Sequence, residues 1–257
     1  MPNPWPVLRL DEVESTNDLA RSLALSTDDP PSPPLVLRAD RQTRGRGRGS
    51  NAWWSDPGSL TFSVLLDPIA LGLEDRHTPL SSLATAVAVV EAVRPRISRG
   101  SAQIRWPNDV EVDGRKVAGI LPERVNGPAG PMLIIGIGLN VRTRLNDAPG
   151  DVRRMAASLA EFAEFADHEP SPDEQEAIFT DLLDALSRSL DLLSRDDPGL
   201  AGRWAGLDQL LGRPVRVDLG SEVVSGIGAG IGPDGGLRVE KPSGVRILYG
   251  GRVLRDG

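Results

Sequence analysis

Arg105-Trp106-Pro107-Asn108-Asp109-Val110-Glu111-Val112-Asp113-Gly114-Arg115-Lys116-Val117-Ala118-Gly119-Ile120-Leu121 reads as a strand end, a polar corner and a β-hairpin. Pro107 moves Trp106 out of helical geometry, because the proline ring crowds the residue before it. Residues 110–112 and 116–121 have strand character, and Asp113-Gly114 between them is a two-residue hairpin turn. Asn108 and Asp109 fall at the junction of strand and turn, where polar side chains can face a pocket. Plain alternation puts Lys116, Ala118 and Ile120 on one face of the second strand. Gly119 has no side chain and lets a ligand or another strand lie close. One carboxylate, one amide and one Lys suit Mg2+ and phosphate oxygens. A turn-forming Asn-Asp pair beside a surface Lys is the plainer reading of the same residues.

Working outward, residues 7–10 read as a short strand. Ser15-Thr16-Asn17 then cap a helix that begins at Asp18. Residues 28–34 are a Pro-rich exposed loop, and 35–38 a buried strand leading into an Arg- and Gly-rich loop over 40–58. Leu60, Phe62 and Val64 alternate with Thr61 and Ser63, which is strand periodicity. Residues 80–94 suit a mostly buried helix ended by Pro95. Residues 132–141 form an apolar strand carrying glycines, and 152–165 and 173–194 read as helices. From Leu211 the character changes to short strands, 215–219, 223–227, 237–240 and 245–248, separated by Gly, Pro and Asp. This predicts a larger α+β domain over 1–209 and a small all-β barrel over 210–257.

Composition excludes several classes. The chain has 257 residues and no cysteine, so disulfides, thiolate nucleophiles and iron–sulfur clusters are ruled out. The only histidines, His77 and His168, are too few for a metal cluster or a histidine relay. No stretch approaches the roughly 18 apolar residues of a membrane span. The N-terminal residues lack the basic-then-apolar pattern of a secretory signal. The expectation is a cytoplasmic protein with no membrane partner. A net charge of −7 argues against bulk nucleic-acid binding, so any anion site must be local. Of 29 Lys and Arg residues only two, Lys116 and Lys241, are lysine. Either is chance survival in an Arg-biased chain, or a place where Arg is not acceptable.

Three further constellations are chemical candidates. Gln42-Thr43-Arg44-Gly45-Arg46-Gly47-Arg48-Gly49-Ser50-Asn51 places glycines where a backbone can approach an anion, with Arg side chains that bind phosphate bidentately. It reads as a phosphate-holding loop or as a flexible Arg-Gly segment touching RNA. It has neither the GKS ending of a P-loop nor a strict G-x-G-x-x-G. Gly136-Ile137-Gly138-Leu139-Asn140 suits close backbone approach and an amide hydrogen bond to a heterocycle, or a strand bulge. Ser15-Thr16-Asn17 suits a polar ligand, or an ordinary helix cap.

In this order and spacing, ESTN (14–17), QTRGRGRGSNAWWS (42–55), RWPNDVEVDGRKVAGIL (105–121) and GIGLN (136–140) resemble the biotin–protein ligases. The resemblance covers residues 8–141 well and the helical region loosely. It implies a mixed-sheet catalytic domain flanked by helices, of the class II synthetase-like type shared by biotin and lipoate ligases, followed by an SH3-like domain. It implies that biotin and MgATP give biotinyl-5′-AMP and pyrophosphate. A lysine of a biotin carboxyl carrier protein, from acetyl-CoA carboxylase or a related carboxylase, then takes the biotinyl group.

By the same resemblance, Ser15, Thr16, Asn17 and Gln42 line the biotin ring site. Hydroxyls and amides suit a neutral ureido group. Gly45, Arg46, Gly47 and Arg48 match the loop that orders over biotin and the adenylate, with Lys116 and Gly119 also at biotin. Arg46, Arg48, Trp53, Trp54, Asn108, Asp109, Lys116, Asn140 and Arg255 match adenylate positions, and Asp109 the Mg2+ position. Lys116 is the implied catalytic residue, assisted by Arg48 and Arg46.

Two features depart from the bacterial pattern. Gly49-Ser50-Asn51 stands where many bacterial members have x-Gly-Arg, which is closer to the eukaryotic loop. The first strand also begins about seven residues from the start, so the expectation is a ligase without an N-terminal DNA-binding domain or repressor role. A homodimer through sheet-edge pairing occurs in the family. The nearest rival is a lipoate ligase or octanoyltransferase of the same fold, which must admit a long apolar chain. The polar set at 15–17 and 42 favours biotin. An RNA-binding module would need aromatics interleaved with the arginines, and Trp53 and Trp54 follow the cluster instead.

Overall fold

The computed structural model describes residues 5–28, 31–163 and 172–255. Its first part runs β1 (Val7–Val13), α1 (Thr16–Ala24), β2 (Leu35–Gln42), β3 (Ser59–Leu66), α2 (His77–Val93), β4 (Ala102–Arg105), β5 (Asp109–Val112), β6 (Arg115–Gly127) and β7 (Gly130–Asn140). These strands form one sheet in the order β1-β2-β3-β7-β6-β5-β4. β1 and β2 are parallel, and the other neighbours are antiparallel. A parallel pair needs a crossover, and α1 supplies it.

The two faces of this sheet differ in chemistry. Leu60, Phe62 and Val64 of β3, with Leu133, Ile135, Ile137 and Leu139 of β7, point into the main core. That face is covered by α2 and then α4 (Pro172–Ser194), which follows the short α3 (Gly150–Met155). α2 is apolar nearly all round, as a helix held between a sheet and another helix must be. Phe179 of α4 meets Phe62 edge to face, with ring centroids 5.2 Å apart. On the opposite face, α1 covers only one end, through Ala20, Ala24, Leu37, Leu65, Val125, Met132 and Ile134. The rest of that face carries Thr61, Ser63, Gly136 and Gly138, and there a cavity opens.

After α5 (Pro198–Gly206) come β8 (Pro214–Asp218), β9 (Val223–Ile231), β10 (Leu237–Lys241), β11 (Gly244–Leu248) and β12 (Arg252–Val253). They form an antiparallel sheet in the order β11-β10-β9-β8-β12, with no β11–β12 pairing to close it among the described residues. The two sheets share one continuous core. Trp106 Nε1 donates to Gly235 O at 2.9 Å and Trp204 Nε1 to Gly232 O at 3.1 Å. Two indoles thus grip the turn between β9 and β10.

Two expectations are corrected. In β6, Val117 is an extra residue: Val110 pairs Ala118 and Glu111 pairs Lys116. A bulge shifts the alternation by one. Lys116 therefore shares its face with Gly119 and Leu121, while Ala118 and Ile120 turn into the core. The helix expected over 152–165 is α3 and a single 3-10 turn, Leu159–Glu161, with residues 156–158 extended between them. Residues 164–171 lie outside the described residues. Elements α5 and β12 were not foreseen.

Candidate active site

A cavity of about 580 Å³ lies between the uncovered sheet face, the Arg/Gly loop, residues 145–156 and the end of the second sheet. Its floor is made by glycine. A Cβ on Gly136 would collide with Asn17 Oδ1, and one on Gly138 with the Trp53 indole. A Cβ on Gly119 would stand 3.0 Å from Lys116 Nζ and 3.1 Å from Trp53.

One end of the cavity is a neutral polar cluster. The N-terminus of α1 brings Ser15, Thr16 and Asn17 to the sheet, all buried. Ser15 caps the helix by accepting from Asp18 N. Gln42 Oε1 accepts from Thr16 N at 2.8 Å and lies 3.1 Å from its hydroxyl. Ser63 Oγ lies 2.7 Å from Thr16 Oγ1 and 2.6 Å from Asn17 Oδ1. Asn17 Nδ2 donates to Leu121 O at 3.2 Å and to Glu123 Oε2 at 3.0 Å. Glu123 is offset by Arg21 and Arg46, and among Ser15, Thr16, Asn17, Gln42 and Ser63 neutral donors and acceptors alternate, which is the surface a urea-like group needs.

The other end is charged. Lys116 Nζ is 2.6 Å from Asp109 Oδ1 and 5.6 Å from the centre of the Trp53 ring. Arg48 is half-buried, and its guanidinium donates to Gly251 O of the second sheet. Burial lowers its pKa, and the nearby Asp109 carboxylate works against that. Arginine remains cationic regardless. Arg46 turns away toward the rim, 2.6 Å from Asp18 Oδ1 and 3.0 Å from Glu123 Oε1. Burial pushes its pKa down, but the two carboxylates prevail and raise it.

Every residue read from the sequence as a site residue lines this cavity except Gly45. Gly45 stands behind it, in a turn where Gly45 O accepts from Trp53 N at 2.8 Å and a Cβ would meet Trp53 O. Three of the lining residues are already engaged by the protein. Asn108 Nδ2 donates to Ile120 O at 2.9 Å, Asn140 Nδ2 to Ala157 O at 3.1 Å, and Arg255 to Gly114 O and the fully buried Glu111. Trp53 and Trp54 both keep a buried indole N–H with no protein partner, free for a polar ligand. Of the two, Trp53 lies on the glycine floor.

Not read from the sequence as site residues were Arg105 and the segment 145–156 with Val152 and Met155, which line the cavity, and Asp18 and Glu123, which bond to the lining residues Arg46 and Asn17. Residues 152–156 of that segment read as the start of a helix over 152–165, and 145–151 carry no motif. Among the described residues no group of three or more His, Cys, Asp or Glu could hold a metal ion.

Comparison with known proteins fits this geometry. Residues 11–140 match the biotin/lipoate A/B protein ligase family. The chain belongs to that family. Residues 210–255 match the biotin protein ligase C-terminal domain. The chain is 31% identical over 241 residues to the bifunctional ligase/repressor BirA of Bacillus subtilis, across 93% of this chain and 70% of the relative. It is 31% identical over 258 residues to the biotin--[acetyl-CoA-carboxylase] ligase of Paracoccus denitrificans, covering 96% of this chain and 100% of that one. The biotin protein ligase of Aquifex aeolicus in complex with biotin and ATP superposes with a TM-score of 0.80, at 27% identity over 97% of both chains. No helix among the described residues is long and apolar enough to cross a membrane.

Proposed function

We propose that this chain is an ATP-dependent biotin–protein ligase that forms biotinyl-5′-AMP and passes the biotinyl group to one lysine of a biotin carboxyl carrier protein. The observation that carries the reading is the polarity of the cavity. A neutral hydrogen-bonding end at residues 15–17, 42 and 63 stands opposite a charged end at Arg48, Asp109 and Lys116.

In the first half-reaction a biotin carboxylate oxygen attacks the α-phosphorus of ATP. The bond from that phosphorus to the bridging oxygen breaks, and pyrophosphate leaves with its electron pair. Two anions must meet, so fixed positive charge at the meeting point lowers the barrier. Lys116 provides a compact ammonium there, and Asp109 fixes where it sits. Arg48 adds a second cation, held in place by Gly251 O. Trp53, on the glycine floor beside Lys116, offers a ring face to adenine. Asn140 orders residue 157 behind the base, and Arg255 approaches from the second sheet. Mg2+ enters with the nucleotide as part of the substrate. It commonly takes only one or two protein carboxylates, and Asp109 suits that.

In the second half-reaction the carrier lysine amine attacks the acyl carbon. The carbon–oxygen bond to phosphate breaks, AMP leaves with the electron pair, and the proton lost by the amine passes to solvent. Closure of the 44–54 loop keeps water from the anhydride until then. The same reading divides the chain near residue 209, into a catalytic domain and a second domain that completes the nucleotide end. It places the reaction in the cytoplasm, where ATP is. The relatives named as acetyl-CoA-carboxylase ligases support a carboxylase carrier. Incubating the chain with biotin, MgATP and a biotin carboxyl carrier domain should add one biotinyl mass to that domain, at one lysine. An unmodified carrier would refute the transfer step.

A further inference from the structure

Glu123 lies on β6 two residues beyond Leu121, which lines the cavity, with its side chain 13% exposed. Three side chains from two segments converge on its carboxylate. Asn17 Nδ2 donates to Oε2 at 3.0 Å, and Arg21 Nη2 to Oε1 at 3.1 Å, both from α1. Arg46 of the Arg/Gly loop gives both Nη atoms, at 3.0 and 3.3 Å. Asp18, in the first turn of α1, takes the same Arg46 Nη1 at 2.6 Å. Arg46 is therefore matched by two carboxylates, and Glu123 is matched in turn by Arg21. An arginine compensated in this way has little charge left for a phosphate. Arg48 has no carboxylate within hydrogen-bonding range among the described residues and stands near Asp109 and Lys116.

We infer that Glu123, with Asp18, is a positioning residue that latches the Arg/Gly loop through Arg46 and fixes the amide orientation of Asn17. Arg46 is then the bolt of the loop, and Arg48 the loop arginine whose charge serves the reaction. The amide is fixed because Glu123 accepts only. With Nδ2 of Asn17 held by Glu123 and Leu121 O, Oδ1 must face Ser63 and the floor at Gly136. One carboxylate thereby sets both the polarity of the biotin end and the closed position of the loop. The inference rests on the proposed function for its ligand, but the latch itself is independent of it.

The test separates the two. Trypsin cleaves after Arg44, Arg46 and Arg48, and neither Glu123→Gln nor Asp18→Asn alters those sites. In the ligand-free chain, both variants should be cut in the loop at least several-fold faster than the parent, and Glu123→Asp should recover part of the protection. Equal melting temperatures would show that the variants are folded. With biotin and MgATP, Glu123→Gln should also raise the biotin half-saturation concentration about tenfold, because a Gln amide faces the Asn17 amide. Asp18→Asn should raise it much less. Both variants should release more biotinyl-AMP to solvent than the parent. Loop cleavage at the parental rate in folded Glu123→Gln would overturn the latch. Faster cleavage in a chain that makes no adenylate at all would leave the latch standing and remove the ligase reading instead.

Discussion

Lys116 reaches the cavity because Val117 is an extra residue in β6, which turns the pleat by one position. Without the bulge its side chain would share the core face of Ala118 and Ile120. Its ammonium lines the cavity 2.6 Å from Asp109, and the proposed reaction brings the biotin carboxylate and the α-phosphate together there. Replacing Lys116 by Ala should lower adenylate formation about 10²–10³-fold, the scale for loss of one preorganised charge. Biotin affinity should change far less. Single-turnover pyrophosphate release would measure this, and a near-parental rate would remove Lys116 from the chemistry. Much of this site was legible in the sequence, because its residues stand in short runs whose spacing survives folding. Residues 15–17, 46–48, 105–109 and 136–138 each line the cavity as a short run. Glu123 and Asp18 were not legible. Each is an ordinary acidic residue in an ordinary element, and their partner Arg46 comes from a different segment. The Val117 bulge was equally hidden, since register is a property of two strands.

At the scale of elements, α4 is tied to the sheet by a buried cation. Arg38 of β2 is 7% exposed; its Nη1 is 2.6 Å from Glu176 Oε2, and its guanidinium is 4.6 Å from the Phe179 ring centre. Arg9 of β1 binds the other oxygen at 2.6 Å. The hydrogen bond from Arg9 holds the Glu176 carboxyl below the usual carboxylate range; burial opposes it, and Arg38 reinforces it. A depressed pKa adds stability above the unfolded-state value, and that stability is lost as pH falls through the folded value. Glu176→Gln should therefore cost about 1–2 kcal/mol at neutral pH, the buried-pair figure reduced for a half-exposed carboxylate. Urea unfolding of both chains should show the gap closing as pH drops below about 4. A gap independent of pH would contradict the assignment. The helices α2 and α4 were readable from their apolar pattern. The extended stretch 156–158 was not, because tertiary contacts override helix propensity there. Ala157 N donates to Lys116 O at 2.9 Å and Asn140 Nδ2 to Ala157 O, drawing the chain into an extended segment beside β6.

At the scale of the whole molecule, the second sheet is part of the cavity wall. Its last residues, 252–255, line the cavity, and Arg48 reaches it at Gly251. Arg255 and the chain near Arg105 close on Glu111, which is buried in β5. Arg105 Nη2 also donates to Leu254 O at 3.1 Å. Arg255→Ala should raise the ATP half-saturation concentration about tenfold, the equivalent of one charged hydrogen bond. Biotin binding should hold near the parental value. If ATP use is unchanged, Arg255 is a clasp for Glu111 and nothing more. The sequence showed a second all-β unit from Leu211 by its Gly- and Pro-spaced strands. It could not show the docking, since Trp106 and Trp204 look like core residues until their N–H groups find Gly235 and Gly232.

The most direct measurement is carrier-free pyrophosphate release from MgATP, with biotin, with lipoate and with neither. The account predicts a burst of about one pyrophosphate per chain with biotin alone, the adenylate staying in the cavity under the latched loop. Release with lipoate and not with biotin would contradict it, and so would no release with either.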